Sequence, residues 1–225
     1  MIENPKRLLI IGDSGVYGWG DIEEGGWCER LRRKWMNLPG APILYPLGVR
    51  GDGLEKVAKR WQNEWECRGE LRRQVPDGLL ISVGINDTAR VGRPDGRPQL
   101  STEAFNFGLM QLLKQVKNQT KVMVMGLTPV DEAVMPFADC LWYSNEAASI
   151  YEAQIEAACL ELDVPFLPLH RAMLTETNWI SWIEPDGIHL NTNGHYWVYN
   201  KVMNWPALLK WAGLKQLENL TPSVL

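Results

Sequence analysis

Five short, almost uninterrupted apolar runs punctuate the chain, and longer amphipathic stretches separate them. The runs are Arg7–Ile11, Ile43–Leu47 (which contains Pro46), Gly78–Val83, Lys121–Gly126 and Phe166–Leu169. An apolar run of this length without alternation is the mark of a strand buried on both faces. Between the runs, apolar residues recur at helical spacing. Trp27, Leu31, Trp35 and Leu38 form one stripe, and Leu54, Val57, Ala58, Trp61 and Trp65 a second. Phe105, Leu109, Leu112 and Val116 make a third, and Ala147, Tyr151, Ile155, Ala158 and Leu162 a fourth. A last helix is expected over Asn193–Trp211, interrupted near Pro206. Asp52-x-x-Glu55 has capping-box spacing, and Ser101 stands where it can cap the third stripe. Residues 90–99 and 128–143 carry prolines and no period, so both are expected to be loops.

Strands alternating with helices predict an α/β protein: a three-layer α/β/α sandwich around a five-stranded parallel sheet. Five strands in 225 residues favour the flavodoxin-like order 2-1-3-4-5 over a barrel, which needs eight strands and about 250 residues. No repeat, low-complexity tract or linker divides the chain, so residues 1–225 are expected to form a single domain. The net charge is −4 with no basic block, which argues against nucleic acid or an anionic membrane as partner. Residues 8–11 are the only apolar run near the N-terminus, too short for a secretion signal or a membrane span. The expectation is a cytoplasmic protein with no membrane span. Cys28, Cys67, Cys140 and Cys159 are scattered without metal-ligand or redox spacing, and are expected to be free and buried, with no metal.

In an open parallel sheet, ligands bind beyond the carboxyl ends of the strands, beside the switch in strand order. Four polar segments fall there: Gly12-Asp13-Ser14, Gly51-Asp52-Gly53, Gly84-Ile85-Asn86-Asp87 and Asp186-Gly187-Ile188-His189. Each alone reads as a turn or a helix cap. Together they supply the parts of an acyl-transfer site. Ser14 offers a hydroxyl nucleophile, which needs a neighbouring base. His189 is that base, because imidazole titrates near neutrality. Asp186 can fix the imidazole tautomer and stabilise the imidazolium. Backbone N–H groups of Ser14 and Gly51, with the Asn86 side-chain amide, can form an oxyanion hole.

These four blocks, in this order, resemble the GDSL-type esterases and lipases, the SGNH hydrolases. The nucleophile motif is matched by Gly12-Asp13-Ser14, with Gly15 where Leu is usual. The second-block glycine is matched by Gly51, with Pro46 and Gly53 where many relatives carry Asn and Thr or Ser. The Gly-x-Asn-Asp and Asp-x-x-His blocks are intact at residues 84–87 and 186–189. The resemblance implies a small-molecule ester or thioester substrate, a serine acyl-enzyme and no cofactor. It assigns Ser14, Asp186 and His189 to the triad and Ser14, Gly51 and Asn86 to the oxyanion hole. A carbohydrate O-deacetylase with the same machinery, or a non-catalytic ligand-binding domain, are the alternatives.

Asp13 and Asp87 are expected to hold the loops by hydrogen bonding rather than to react, and His170 and His195 to lie outside the chemistry. Trp27, Trp35, Trp61 and Trp65 read as packing against the sheet, whereas Trp179 and Trp182, just before Asp186, read either as core packing or as the lining of an acyl or sugar pocket. Trp142 and Tyr143 close the loop after the fourth strand. Arg90, Arg93 and Arg97 read as a solvated loop face. Eleven tryptophans are compatible with a homo-oligomeric contact patch.

Overall fold

The structure, a computed structural model, describes residues 5–69 and 75–214. In chain order the elements are β1 (Arg7–Gly12), α1 (Ser14–Tyr17), α2 (Gly26–Met36), β2 (Ile43–Gly48), α3 (Leu54–Glu66) and β3 (Gly78–Ser82). They continue with α4 (Ile85–Thr88), β4 (Arg90–Val91), α5 (Thr102–Gln119), β5 (Lys121–Met125), β6 (Leu141–Trp142) and α6 (Asn145–Glu161). The last are β7 (Phe166–Leu167), α7 (His170–Leu174), α8 (Thr192–Met203) and α9 (Pro206–Ala212). Short 3₁₀ turns occupy Glu132–Val134 and Trp179–Trp182.

The main sheet is parallel throughout, in the order β2-β1-β3-β5-β7. Counting only its five strands, this is the expected 2-1-3-4-5. Successive side chains of a strand point to opposite faces, and β1 feeds two cores in this way. Leu9 and Ile11 join α3, α5 and α6, whereas Leu8 and Ile10 join α2, α8 and α9. All four are fully buried, and each Leu or Ile so placed stabilises the fold by about 1.5–3 kcal/mol. Trp27 and Trp35 pack on one face, and Trp61 and Trp65 on the other. Pro46 is tolerated because β2 is an edge strand, pairing only with β1. No described helix is long and apolar enough to cross a membrane.

Several expectations need correction. The last strand stops at Leu167 rather than Leu169: Pro168 follows, and the next N–H groups, of Leu169 and His170, go to the Glu152 carboxylate at 3.3 and 3.0 Å. The final helix is two helices, α8 ending at the Asn204 cap and α9 starting with Pro206 in its first turn. The loops 90–99 and 128–143 are joined, since β4 pairs antiparallel with β6. Asp52 does not cap α3. Gly53 holds that position, and the Leu54 N–H donates instead to Asp87. Ser101 does cap α5, accepting from the Ala104 N–H at 3.3 Å. All four cysteines are free, but only Cys28 and Cys159 are buried. Cys67 lies exposed past the buried stripe of α3, and Cys140 lies exposed in the turn before β6.

Candidate active site

β1 ends at Gly12, and Asp13 caps the short helix α1 by accepting from the Gly15 N–H at 2.8 Å. This turn lifts Ser14 off the carboxyl end of the sheet, next to the strand-order switch between β2 and β3. Its Oγ is 3.0 Å from His189 Nε2, and His189 Nδ1 is 2.6 Å from Asp186 Oδ2. The other Asp186 oxygen accepts from the backbone N–H groups of Ile188 and His189, at 3.1 and 3.0 Å. Burial alone would raise the Asp186 carboxyl. The His189 ring and these two N–H groups outweigh it and hold the pKa at about 2. An ionised Asp186 requires the proton on His189 Nδ1, which leaves Nε2 to accept from the Ser14 hydroxyl. Ser14 and His189 are both buried.

Among the described residues, three N–H groups on the segments that follow β1, β2 and β3 have no protein acceptor. As the first residue of α1, Ser14 has no intrahelical acceptor for its N–H. The Gly51 N–H is the second. Asn86 gives one amide proton to the Asp52 carbonyl at 3.0 Å and keeps the other, while its Oδ1 faces the Tyr143 hydroxyl at 3.4 Å. Gly51 needs its glycine for conformation rather than for space. Its φ is 74°, and an added Cβ would meet nothing within 4 Å.

The loop carrying Gly51 is held from several directions. Val49 donates to the Gly12 carbonyl at 3.0 Å, and Arg60 Nε reaches Asp52 Oδ2 at 2.8 Å. Arg60 Nη2 also donates to the carbonyls of Gly12 and Leu47, at 2.8 and 3.0 Å. Gly53 stands against Asp87, whose Oδ1 would lie 2.6 Å from an added Cβ. The Thr or Ser of many relatives would need that carboxylate to move. Both Asp13 and Asp87 are pushed up chiefly by burial, to about 6 and about 7. Their hydrogen bonds go to backbone N–H groups of the site loops.

The remaining candidates sort clearly. His170 is buried against Asn145 Oδ1 at 3.3 Å, away from Ser14, and burial pushes its pKa down. His195 is buried on α8, where Nδ1 accepts from the Trp27 N–H and Nε2 donates to the Trp19 carbonyl. Trp179 and Trp182 pack on the α8 side of the core, Trp182 against Trp197. Arg90 donates to the Gly96 carbonyl and Arg93 pairs with Asp95 in solvent. Three residues next to the relay escaped the sequence reading. Trp19 and Phe137 present their rings edgewise to His189, with centroids at 6.1 and 6.0 Å. Arg50 lies 3.4 Å over the Trp19 ring. The available signal was position: Trp19 follows Ser14 by five residues, and Arg50 directly precedes Gly51.

Two spaces open here. A cavity of about 50 Å³ lies beside Ser14 and His189, with Ile85, Leu127 and Ile188 among its walls. A groove of about 600 Å³ lies beyond Asp186, bordered by Ile22, Glu184 and Asn191. Among the described residues, no group of three or more His, Cys, Asp or Glu side chains could hold a metal.

A model of the GDSL-like Lipase/Acylhydrolase family matches residues 10–197. A curated GDSL esterase/lipase from Arabidopsis thaliana is 24% identical over 140 residues, spanning 56% of this chain and 58% of that protein. The lipase/acylhydrolase from Enterococcus faecalis has a similar structure, with a TM-score of 0.71 and 17% identity over 95% of this chain and 100% of its own. A catalytic mutant of an acetylxylan esterase from Geobacillus stearothermophilus gives a TM-score of 0.68 at 14% identity, covering 97% and 100% of the two chains.

Proposed function

This chain belongs to the GDSL-like lipase/acylhydrolase family, and from that premise we propose that it is a serine ester hydrolase using Ser14, His189 and Asp186. The observation that carries the reading is the continuous relay from Asp186 through His189 to Ser14, at 2.6 and 3.0 Å.

In this reading Ser14 Oγ attacks the substrate carbonyl carbon while its proton passes to His189 Nε2. The carbonyl oxygen becomes an oxyanion and takes hydrogen bonds from the N–H groups of Ser14, Gly51 and Asn86. Asp186 stabilises the imidazolium so formed without taking its proton. The tetrahedral intermediate collapses, the bond to the alcohol oxygen breaks, and His189 returns the proton to that oxygen. Water then attacks the Ser14 ester. His189 takes one of its protons and returns it to Ser14 Oγ as the acid departs.

A second reading, a carbohydrate O-deacetylase, uses the same steps. It is supported by the small size of the cavity at Ser14 and by likeness to the acetylxylan esterase.

Hydrolysis of p-nitrophenyl esters from acetate to long chains, with Ser14→Ala in parallel, tests the mechanism. Turnover should fall at least about 10⁴-fold in the variant, and a serine-directed fluorophosphonate should label only the wild type. Equal turnover by the two proteins would remove Ser14 from the mechanism. An unlabelled, inactive wild type would leave the non-catalytic binding domain.

A further inference from the structure

Trp19 occupies an unusual place for a half-exposed tryptophan. It borders both the 50 Å³ cavity at Ser14 and the 600 Å³ groove beyond Asp186, and no other described residue borders both. Its ring stands at 61° to the His189 imidazole, with centroids 6.1 Å apart. Backbone and side chain are both secured. Gly18 and Gly20, at positive φ, turn the chain sharply on either side of it. The buried His195 donates to its carbonyl at 3.0 Å, and its own N–H donates to the Ser14 carbonyl at 3.1 Å. The Arg50 guanidinium covers the ring at 3.4 Å and makes no ion pair among the described residues. An exposed cation so placed over an indole is held by the ring's quadrupole, and in turn restrains the ring.

The sizes decide what each space can take. About 10–15 Å³ of such volume holds one water, so the inner cavity has room for about three to five water-sized groups. That is enough for a methyl or a short alkyl tail. The groove falls within the range of about 300–1,000 Å³ usual for small-molecule sites. We propose that Trp19 is the partition that limits the acyl chain accepted at Ser14 to short lengths, and that Arg50 holds the partition closed. This rests on the ester-hydrolase reading above. The alcohol portion of the substrate then lies in the groove, on the far side of the indole.

The test is the ratio of kcat/KM for p-nitrophenyl acetate to that for the hexanoate, in wild type, Trp19→Ala, Trp19→Phe, Arg50→Ala and the double variant Trp19→Ala with Arg50→Ala. A methylene that does not fit costs about tenfold or more, so the wild-type ratio should strongly favour acetate. Trp19→Ala joins the two spaces and should lower the ratio at least about tenfold, by admitting the longer chain. Trp19→Phe should keep most of the wild-type preference. Arg50→Ala should shift the ratio the same way by less, and should add nothing to Trp19→Ala, because both act on one partition. An unchanged ratio in Trp19→Ala, or a wild type that favours hexanoate, would overturn the proposal. Failure of the underlying reading is separate: it shows as a wild type that neither turns over the series nor takes the fluorophosphonate.

Discussion

Asn86 commits one amide proton to the Asp52 carbonyl and keeps the other without a protein acceptor among the described residues. Its carboxamide therefore ties α4 to the loop that carries Gly51, and under the proposed mechanism Asn86→Ala has a double effect. The oxyanion loses a preorganised donor, and kcat should fall about 10²–10³-fold. The Asp52 carbonyl loses a partner, and stability should fall by about 1 kcal/mol. Steady-state kinetics beside a thermal melt separates the two effects. A raised KM with kcat intact would show that Asn86 serves only ground-state binding. Asn86 and Ser14 were legible as candidates because each sits in a short motif just beyond a strand that the apolar runs had located, and Asp186 and His189 because their Asp-x-x-His spacing supplies the base and its partner. Trp19, Arg50 and Phe137 were not. They lie in loops with no period, and what places them is contact with one another and with His189 across the fold.

At the scale of elements, α3 does more than cover the sheet. From its second turn Arg60 reaches the last carbonyl of β1, the Leu47 carbonyl of β2 and the Asp52 carboxylate. It ties the segment leading into Ser14 to the loop bearing Gly51, where Pro46 and Gly53 replace residues common in relatives. Capping-box spacing misled here because it is a local rule. Asp52 is drawn instead to Arg60, eight residues on, and the free Leu54 N–H is met by Asp87 from α4. The small ladder between β4 and β6 was equally invisible, since two residues are too few to show a period. The central strands β1, β3 and β5 were legible because burial on both faces demands an unbroken apolar run. Arg60→Gln should cost about 2–3 kcal/mol of stability, from the loss of charged hydrogen bonds. If the clamp positions the oxyanion loop, kcat should also drop while KM stays nearly constant. Arg60→Lys should restore little of it, lacking the planar fork that spans three acceptors. Wild-type kcat in a folded Arg60→Gln protein would reduce the clamp to a structural tie.

Taken whole, the molecule concentrates ionisable groups at the carboxyl end of its sheet, and their burial sets opposing pH limits on stability. For Asp13 and Asp87 the folded pKa is raised above the unfolded value of 3.8, to about 6 and about 7. Their contribution is fully present below about pH 4. It is lost as pH rises through the folded values, at up to about 1.4 kcal/mol per pH unit for each group. His170 and His195 act in the other direction. Burial depresses both, so stability present above the unfolded value of 6.5 is lost as pH falls below it. Stability is squeezed from both sides, and the alkaline limit comes from carboxylates that serve the site loops rather than the core. Asp87→Asn isolates that limit. The carboxamide oxygen can still accept from the Leu54 N–H, while the buried charge is gone. The melting temperature of this variant should exceed that of the wild type at pH 8. The gain should shrink steadily as pH is lowered and vanish near pH 4, where both proteins carry a neutral group at this position. Thermal melts across pH 4–9 would show it. A gain of the same size at every pH would mean that the substitution acts through packing. A loss at pH 8 would mean that the Asp87 charge, held by the Leu54 N–H, supports the fold instead of straining it.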